Sequence, residues 1–176
     1  LGPDEVRAIL DRVKDHAASL VETIHPQPLA RGALTRLLRA LLEDGIPIAH
    51  PVPILASLAE AVQVTLDHDR LIDLVRADLG ALVVGRNCAP DARLPVVTLD
   101  ANLEAAIVQG LHDPASGQPL IEPDLARTIG DHVAALLSER GGAQPLAMIV
   151  QPRARRPLAA LLRLRAPGCL VLSINE

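Results

Sequence analysis

The chain has 176 residues, 49% of them apolar, and a net charge of −4 from 17 basic and 21 acidic side chains. It contains no Phe, Tyr or Trp. This removes the stacking platforms of single-strand nucleic-acid binders and the cages that hold quaternary ammonium ligands. The acidic balance also lacks the footprint of a nucleic-acid-binding domain, so no nucleic-acid partner is expected.

In chain order, residues 3–24 read as a helix. Pro3 and Asp4 suit its start, and Val6, Ile9, Leu10, Val13, Ala17, Leu20, Val21 and Ile24 mark an apolar stripe. The prolines at 26 and 28 end it. A second helix lies within residues 31–43, with Leu34, Leu37, Leu38, Leu41 and Leu42 expected on one face. Gly45 is placed to end it in a left-handed cap, and Pro47 prevents continuation. Ile46 and Ile48 stay apolar through that break, which is expected to be buried on one side. Pro51 and Pro53 open a third helix, and residues 69–84 form a fourth.

Residues 85–93 (GRNCAPDAR) read as a linker, after which the pattern changes. Strands are expected at residues 94–99, 146–150 and 169–174. Helices are expected from Asp100 to Leu111, from Glu122 to Glu139 (ended by Gly141-Gly142) and from Arg153 to Arg165. The fold class is therefore α+β overall. An all-α helical subdomain, residues 1–86, precedes a small α/β subdomain, residues 94–176, with a three-stranded, mainly parallel sheet.

Chemistry-bearing patterns are sparse. The turns after the strands, Thr98-Leu99-Asp100 and Val150-Gln151-Pro152, carry neither a Gly-rich loop nor a phosphate-cradling Gly-Lys-Ser/Thr. The six histidines include one local cluster, Asp67-His68-Asp69, whose simplest role is a polar turn with an Asp capping the next helix. No HExxH occurs, and no serine sits in a nucleophile elbow. The pairs Asp4/Glu5 and Glu43/Asp44 are more simply solvated helix ends than acid/base machinery. Cys88 and Cys169 lack metal or disulfide spacing and fit a reducing compartment, with Cys169 a buried small hydrophobe. No catalytic, cofactor-binding or metal residue is assigned, and neither enzymatic activity nor a cofactor is expected. Arg153, Arg155, Arg156, Arg163 and Arg165 form the one basic cluster; it reads either as the solvated face of a helix or as a contact patch for an acidic partner or a neighbouring subunit. No apolar run reaches membrane-span length, and Leu1 is not an initiator Met, so the sequence reads as a fragment.

The order of segments carries more than any one of them. PDEVRAILDRV (3–13), LTRLLRALL (34–42), EDGIPI (43–48), ILASLAE (54–60), LVRADLG (74–80), VTLDANLE (97–104), RPLAALLR (156–163) and LVLSINE (170–176) follow one another. This series resembles the cytoplasmic C-terminal part of the type III secretion export-gate (FHIPEP) family, which serves flagella and virulence injectisomes. The resemblance implies a docking and ring-forming module, its ring typically of nine subunits. Implied partners are export substrates, chaperones and components of the associated ATPase complex. It also implies attachment to the cytoplasmic side of the bacterial inner membrane through an N-terminal part outside this sequence. Departures from the family pattern are the aromatic-free stretch 84–94 and the Ile at 174. Arg156-Pro157 looks more flagellar than injectisome-like. Ring contacts are expected mainly from the helical half, with Arg36, Arg39 and Glu43 as candidate interface residues, against the plainer reading of solvated charge. Two other readings remain. A small α/β enzyme with a helical lid would need a ligand-binding turn after a strand, and a generic helical interaction module leaves the second half unexplained.

Overall fold

Seven helices and three strands make up the computed structural model over its described residues, 1–89, 91–141 and 145–176. Contacts divide the chain into two units: residues 1–84 together with Glu176, and residues 85–175.

The first unit is helical: α1 (Pro3–Ile24), α2 (Arg31–Glu43), α3 (Pro51–Ala61) and most of α4 (His68–Asn87). The stripe on α1 packs on α3 and α2, and α1 is kinked at Ala17, which has φ −148° and ψ 60°. With no aromatic available, the core is branched aliphatic: Val6, Leu34, Leu41, Ile54, Leu55 and Val75 are all essentially inaccessible. The break after α2 is a full Schellman motif. Gly45 takes φ +87°, its N–H donates to the Leu42 carbonyl at 3.1 Å, and the Ile46 N–H donates to Leu41 at 2.9 Å. Ile46 and Leu41, both 0% exposed, supply the apolar contact that accompanies this cap. Asp67 caps α4, accepting from the Arg70 N–H at 2.9 Å. The expected linker starts late, because α4 continues through Gly85 and Arg86 to Asn87. One helical glycine does not stop a helix whose neighbours favour it.

The helical unit also holds a buried ionic cluster. Arg76 on α4 is 1% exposed. Its Nε and Nη2 donate to the two carboxylate oxygens of Glu176 at 3.1 and 2.7 Å, a bidentate pair. Nη1 donates to the Asp44 carbonyl at 2.6 Å, with the Asp44 carboxylate at 3.9 Å. Gly80 makes room for this arrangement: a Cβ there would lie 2.5 Å from the Glu176 carbonyl oxygen.

The second unit has the order β1 (Val96–Thr98), α5 (Ala101–Gln109), α6 (Pro123–Glu139), β2 (Leu146–Val150), α7 (Pro152–Arg165) and β3 (Cys169–Ser173). The sheet is parallel with strand order β1-β2-β3, Val97 standing opposite Met148 and Met148 opposite Val171. Leu146, Met148, Val150 and Val171 form one core with Ile107 of α5, Ile129 and Val133 of α6, and Leu158 and Leu162 of α7. The alternate strand positions Ala147 and Leu172 are buried too, as expected for parallel strands that are apolar throughout. Asp100 caps α5, its carboxylate accepting from the N–H groups of Asn102 and Leu103 at 2.9 and 3.1 Å. α5 stops two residues short of the expected Leu111. Of the Gly141-Gly142 stop, Gly141 has the positive φ (+71°) of a helix terminator, and Gly142 lies outside the described residues.

Replacing Arg76 by Ala takes the bidentate partner from the buried Glu176 carboxylate, so it should cost about 3–5 kcal/mol. Urea unfolding measures this. The double change Arg76→Met with Glu176→Met should recover much of the loss, because an apolar pair leaves no buried charge.

Candidate functional site

The surface of α2 carries the residues expected to form an interface. Arg36, Arg39 and Glu43 stand three and four residues apart, and all three are exposed. They are not equivalent. Arg39 donates through Nε and Nη2 to the Leu1 carbonyl at 3.2 and 2.7 Å, so its guanidinium already ties the chain start to α2. Arg36 lies over Gly32, where an added Cβ would still be 3.9 Å from the Arg36 guanidinium. The face is thus a row of charge with Arg36 as its outward member.

The carboxyl ends of the strands are where α/β sheets hold small ligands, at a point where strand order reverses. Here the strands lie in sequence order, so no reversal occurs among the described residues. The start of α7 is also occupied from within. Glu104 of α5 accepts from the Gln151 N–H at 2.6 Å and from the Gln151 side-chain amide at 3.4 Å. An acidic side chain therefore sits where a helix N-terminus would attract an anion. Among the described residues no group of three or more His, Cys, Asp or Glu could hold a metal ion.

The basic cluster near α7 divides once folded. Arg155 is only 1% exposed, so a wholly solvated basic face is not what forms. Arg165 lies across Gly130, its Cδ 2.7 Å from where a Cβ would be, and pairs with Asp131 at 3.4 Å. Arg153 reaches the His112 ring at 3.5 Å.

A cleft of about 780 Å³ opens at the amino ends of β2 and β3, away from the strand ends that bind ligands in α/β enzymes. Leu137, Pro145, Ala166, Cys169 and Leu170 line it, with Arg165 and Ser138 as polar members. Cys169 is half-buried rather than fully enclosed. Burial pushes its thiol up from 9.0 to about 11, partly offset by a hydrogen bond with the Met148 backbone.

Comparison with known proteins gives these surfaces their setting. The FHIPEP family profile matches residues 1–176, and the chain belongs to that family. It is 30% identical to the flagellar biosynthesis protein FlhA of Bacillus subtilis, over 100% of this chain and 26% of that protein. It is also 30% identical to FlhA of Salmonella typhimurium, over 99% and 25%. The protein hrpC2 of Xanthomonas euvesicatoria is 28% identical, over 100% and 27%. The chain thus spans about a quarter of the length of the curated relatives it matches. Among solved structures, nonameric EPEC SctV-C superposes with a TM-score of 0.85 at 20% identity, covering 99% of this chain and 52% of that one. Chlamydia pneumoniae CdsV, in complex with CdsO, gives 0.83 at 24%, covering 99% and 52%. Shigella flexneri MxiA gives 0.82 at 22%, covering 99% and 56%. At these identities the likeness establishes the fold. Flagellar biosynthesis, type III secretion and an export gate with a nonameric cytosolic domain are the setting of these relatives.

Because the Cys169 thiol ionises later in the folded chain than in the unfolded one, the folded state holds the extra proton between about pH 9 and 11. Stability should therefore fall as pH rises through that window. Alkylation of Cys169 near pH 8 should be slower in the folded chain than in urea, as read by mass spectrometry.

Proposed function

We propose that the chain is a cytoplasmic part of a bacterial protein-export gate, acting by docking and ring formation rather than by catalysis. The observation that carries this is the family match along the whole chain, together with the fold shared with a nonameric assembly. Two features of the α/β unit support a non-catalytic role: a sheet in sequence order, and an α7 start already filled by Glu104. No helix of the described residues is long and apolar enough to cross a membrane. Attachment to the inner membrane would then come from other parts of a longer protein, with this part on the cytoplasmic side.

The proposed partners are further copies of the chain in a ring of nine, export substrates, their chaperones and components of the export ATPase complex. The complex of CdsV with CdsO supports contact with other secretion components. The flagellar system is favoured over an injectisome by the FlhA relatives at 30% identity and by Arg156-Pro157. Deleting the gene should abolish motility and flagellar filaments. Intact motility with lost effector secretion would assign the injectisome instead.

Within this reading, α2 supplies part of one ring face. Arg36→Glu should weaken assembly or secretion while leaving the circular dichroism spectrum unchanged, since the side chain is exposed. Arg39→Glu should do the same with some loss of stability, because it also releases the Leu1 carbonyl. Halo size on soft agar and secreted filament protein are the measurements, and wild-type values for both variants would remove α2 from the ring face.

A further inference from the structure

Asp44-Gly45 is the one Asp–Gly or Asn–Gly step in the sequence. Such a step has a chemistry of its own. The backbone nitrogen that follows an aspartate can attack that aspartate's side-chain carboxyl, and a glycine there has no Cβ to crowd the approach. In the reacting form the carboxyl is protonated. A bond forms between the Gly45 nitrogen and Asp44 Cγ, the Cγ–OH bond breaks, and the hydroxyl leaves as water with the amide proton. The five-membered imide then takes up one water. Opening at the side-chain carbonyl restores aspartate. Opening at the main-chain carbonyl leaves an isoaspartyl residue, with the backbone now running through Cβ. Nothing but water is lost or gained.

The fold places a rotation in the way of this step. Asp44 has φ −82° and ψ 7°, which turns the Gly45 nitrogen well away from the Asp44 Cβ. Ring closure needs a large rotation about ψ, and the same rotation swings the Asp44 carbonyl. That carbonyl is the acceptor for Nη1 of Arg76 at 2.6 Å, and Arg76 is in turn held by both carboxylate oxygens of Glu176. The rotation also withdraws the Gly45 and Ile46 N–H groups from the Leu42 and Leu41 carbonyls, and Ile46 is fully buried. Gly45 itself is exposed, and a Cβ added to it would meet nothing within 4 Å. Water therefore reaches the place where the imide opens, and the restraint is the internal tie from Arg76.

We propose that Asp44–Gly45 is a site of isoaspartyl formation gated by the Arg76–Glu176 pair, the step proceeding only when Arg76 lets go of the Asp44 carbonyl. Such an opening is local, and local openings cost less than global unfolding. The isoaspartyl link lengthens the backbone by one methylene between α2 and Ile46. The Schellman cap depends on the spacing of an ordinary backbone, so it does not re-form and the change is kept. The exposed turn then carries the α-carboxylate of an isoaspartyl residue as a side group. That group is the substrate class of isoaspartyl carboxyl methyltransferases.

The test ages the 176-residue chain for several weeks in warm neutral buffer, with and without urea. New isoaspartyl groups are counted with an isoaspartyl methyltransferase and labelled S-adenosylmethionine, and the labelled peptide is mapped by mass spectrometry. In urea the label should appear at residue 44, and in the folded chain it should accumulate slower by about tenfold or more. Asp44→Glu, whose longer side chain cannot close the five-membered ring, should abolish it. Arg76→Met and Glu176→Gln should each raise the folded rate by about tenfold or more. Glu176→Gln keeps the side-chain shape and is the milder change, so its fold is checked by circular dichroism and its rate decides if Arg76→Met unfolds. Leu158→Ala, a cavity in the core of the α/β unit, should leave the rate within about twofold. No label in urea, equal rates with and without urea, or label persisting in Asp44→Glu overturns the proposal. So does a Glu176→Gln rate equal to wild type, or a Leu158→Ala chain that labels as fast as Glu176→Gln, because the gate is then not the ionic pair.

Discussion

Arg76 enters the helical unit with its charge and its donors shut away from water, so groups inside that unit must answer them. Glu176 takes two donors in a bidentate pair, and the Asp44 carbonyl takes a third. Asp44 is the residue from which the chain turns through Gly45 out of α2. One guanidinium thus fixes the end of α2, the middle of α4 and the position of residue 176. The aliphatic core around it is permissive by comparison, since branched side chains of similar volume can exchange at modest cost. The ionic cluster is not permissive, because loss of either member of the bidentate pair removes two charge-assisted hydrogen bonds from a buried charge.

The α/β unit is organised on a different principle. Its sheet is apolar at nearly every strand position, and its polar contacts are local caps or short bridges such as Glu104 to Gln151. That bridge joins α5 to the start of α7.

Much of this was legible because the deciding forces are local. Gly45 followed by apolar Ile46 announces the Schellman cap, and Asp67 and Asp100 announce the helices they cap, since donor and acceptor lie within three residues of each other. The apolar runs at 146–150 and 169–173 announce buried parallel strands in the same way. The candidate face on α2 was legible as a stripe of charge, but the tie from Arg39 to Leu1 was not, because it spans 38 residues. The burial of Arg76 and Arg155 was not legible either, because an isolated helix gives no sign of what will cover it. The end of α4 was misread because Gly85 was taken as a stop, whereas a glycine ends a helix only when the residues after it cannot continue.

The Arg76–Glu176 pair joins residues 100 apart in the chain. A ribosome delivers all four helices of the first unit, with Arg76 among them, long before it delivers residue 176. During that interval the helical unit can gather its aliphatic core from local contacts, which form early, but it carries an arginine without its carboxylate. The helical unit gains this pair only when residue 176 has been made. Of the two units, the one synthesised earlier is in this sense the later to be finished, and truncation just before residue 176 would be felt in helices made about a hundred residues earlier.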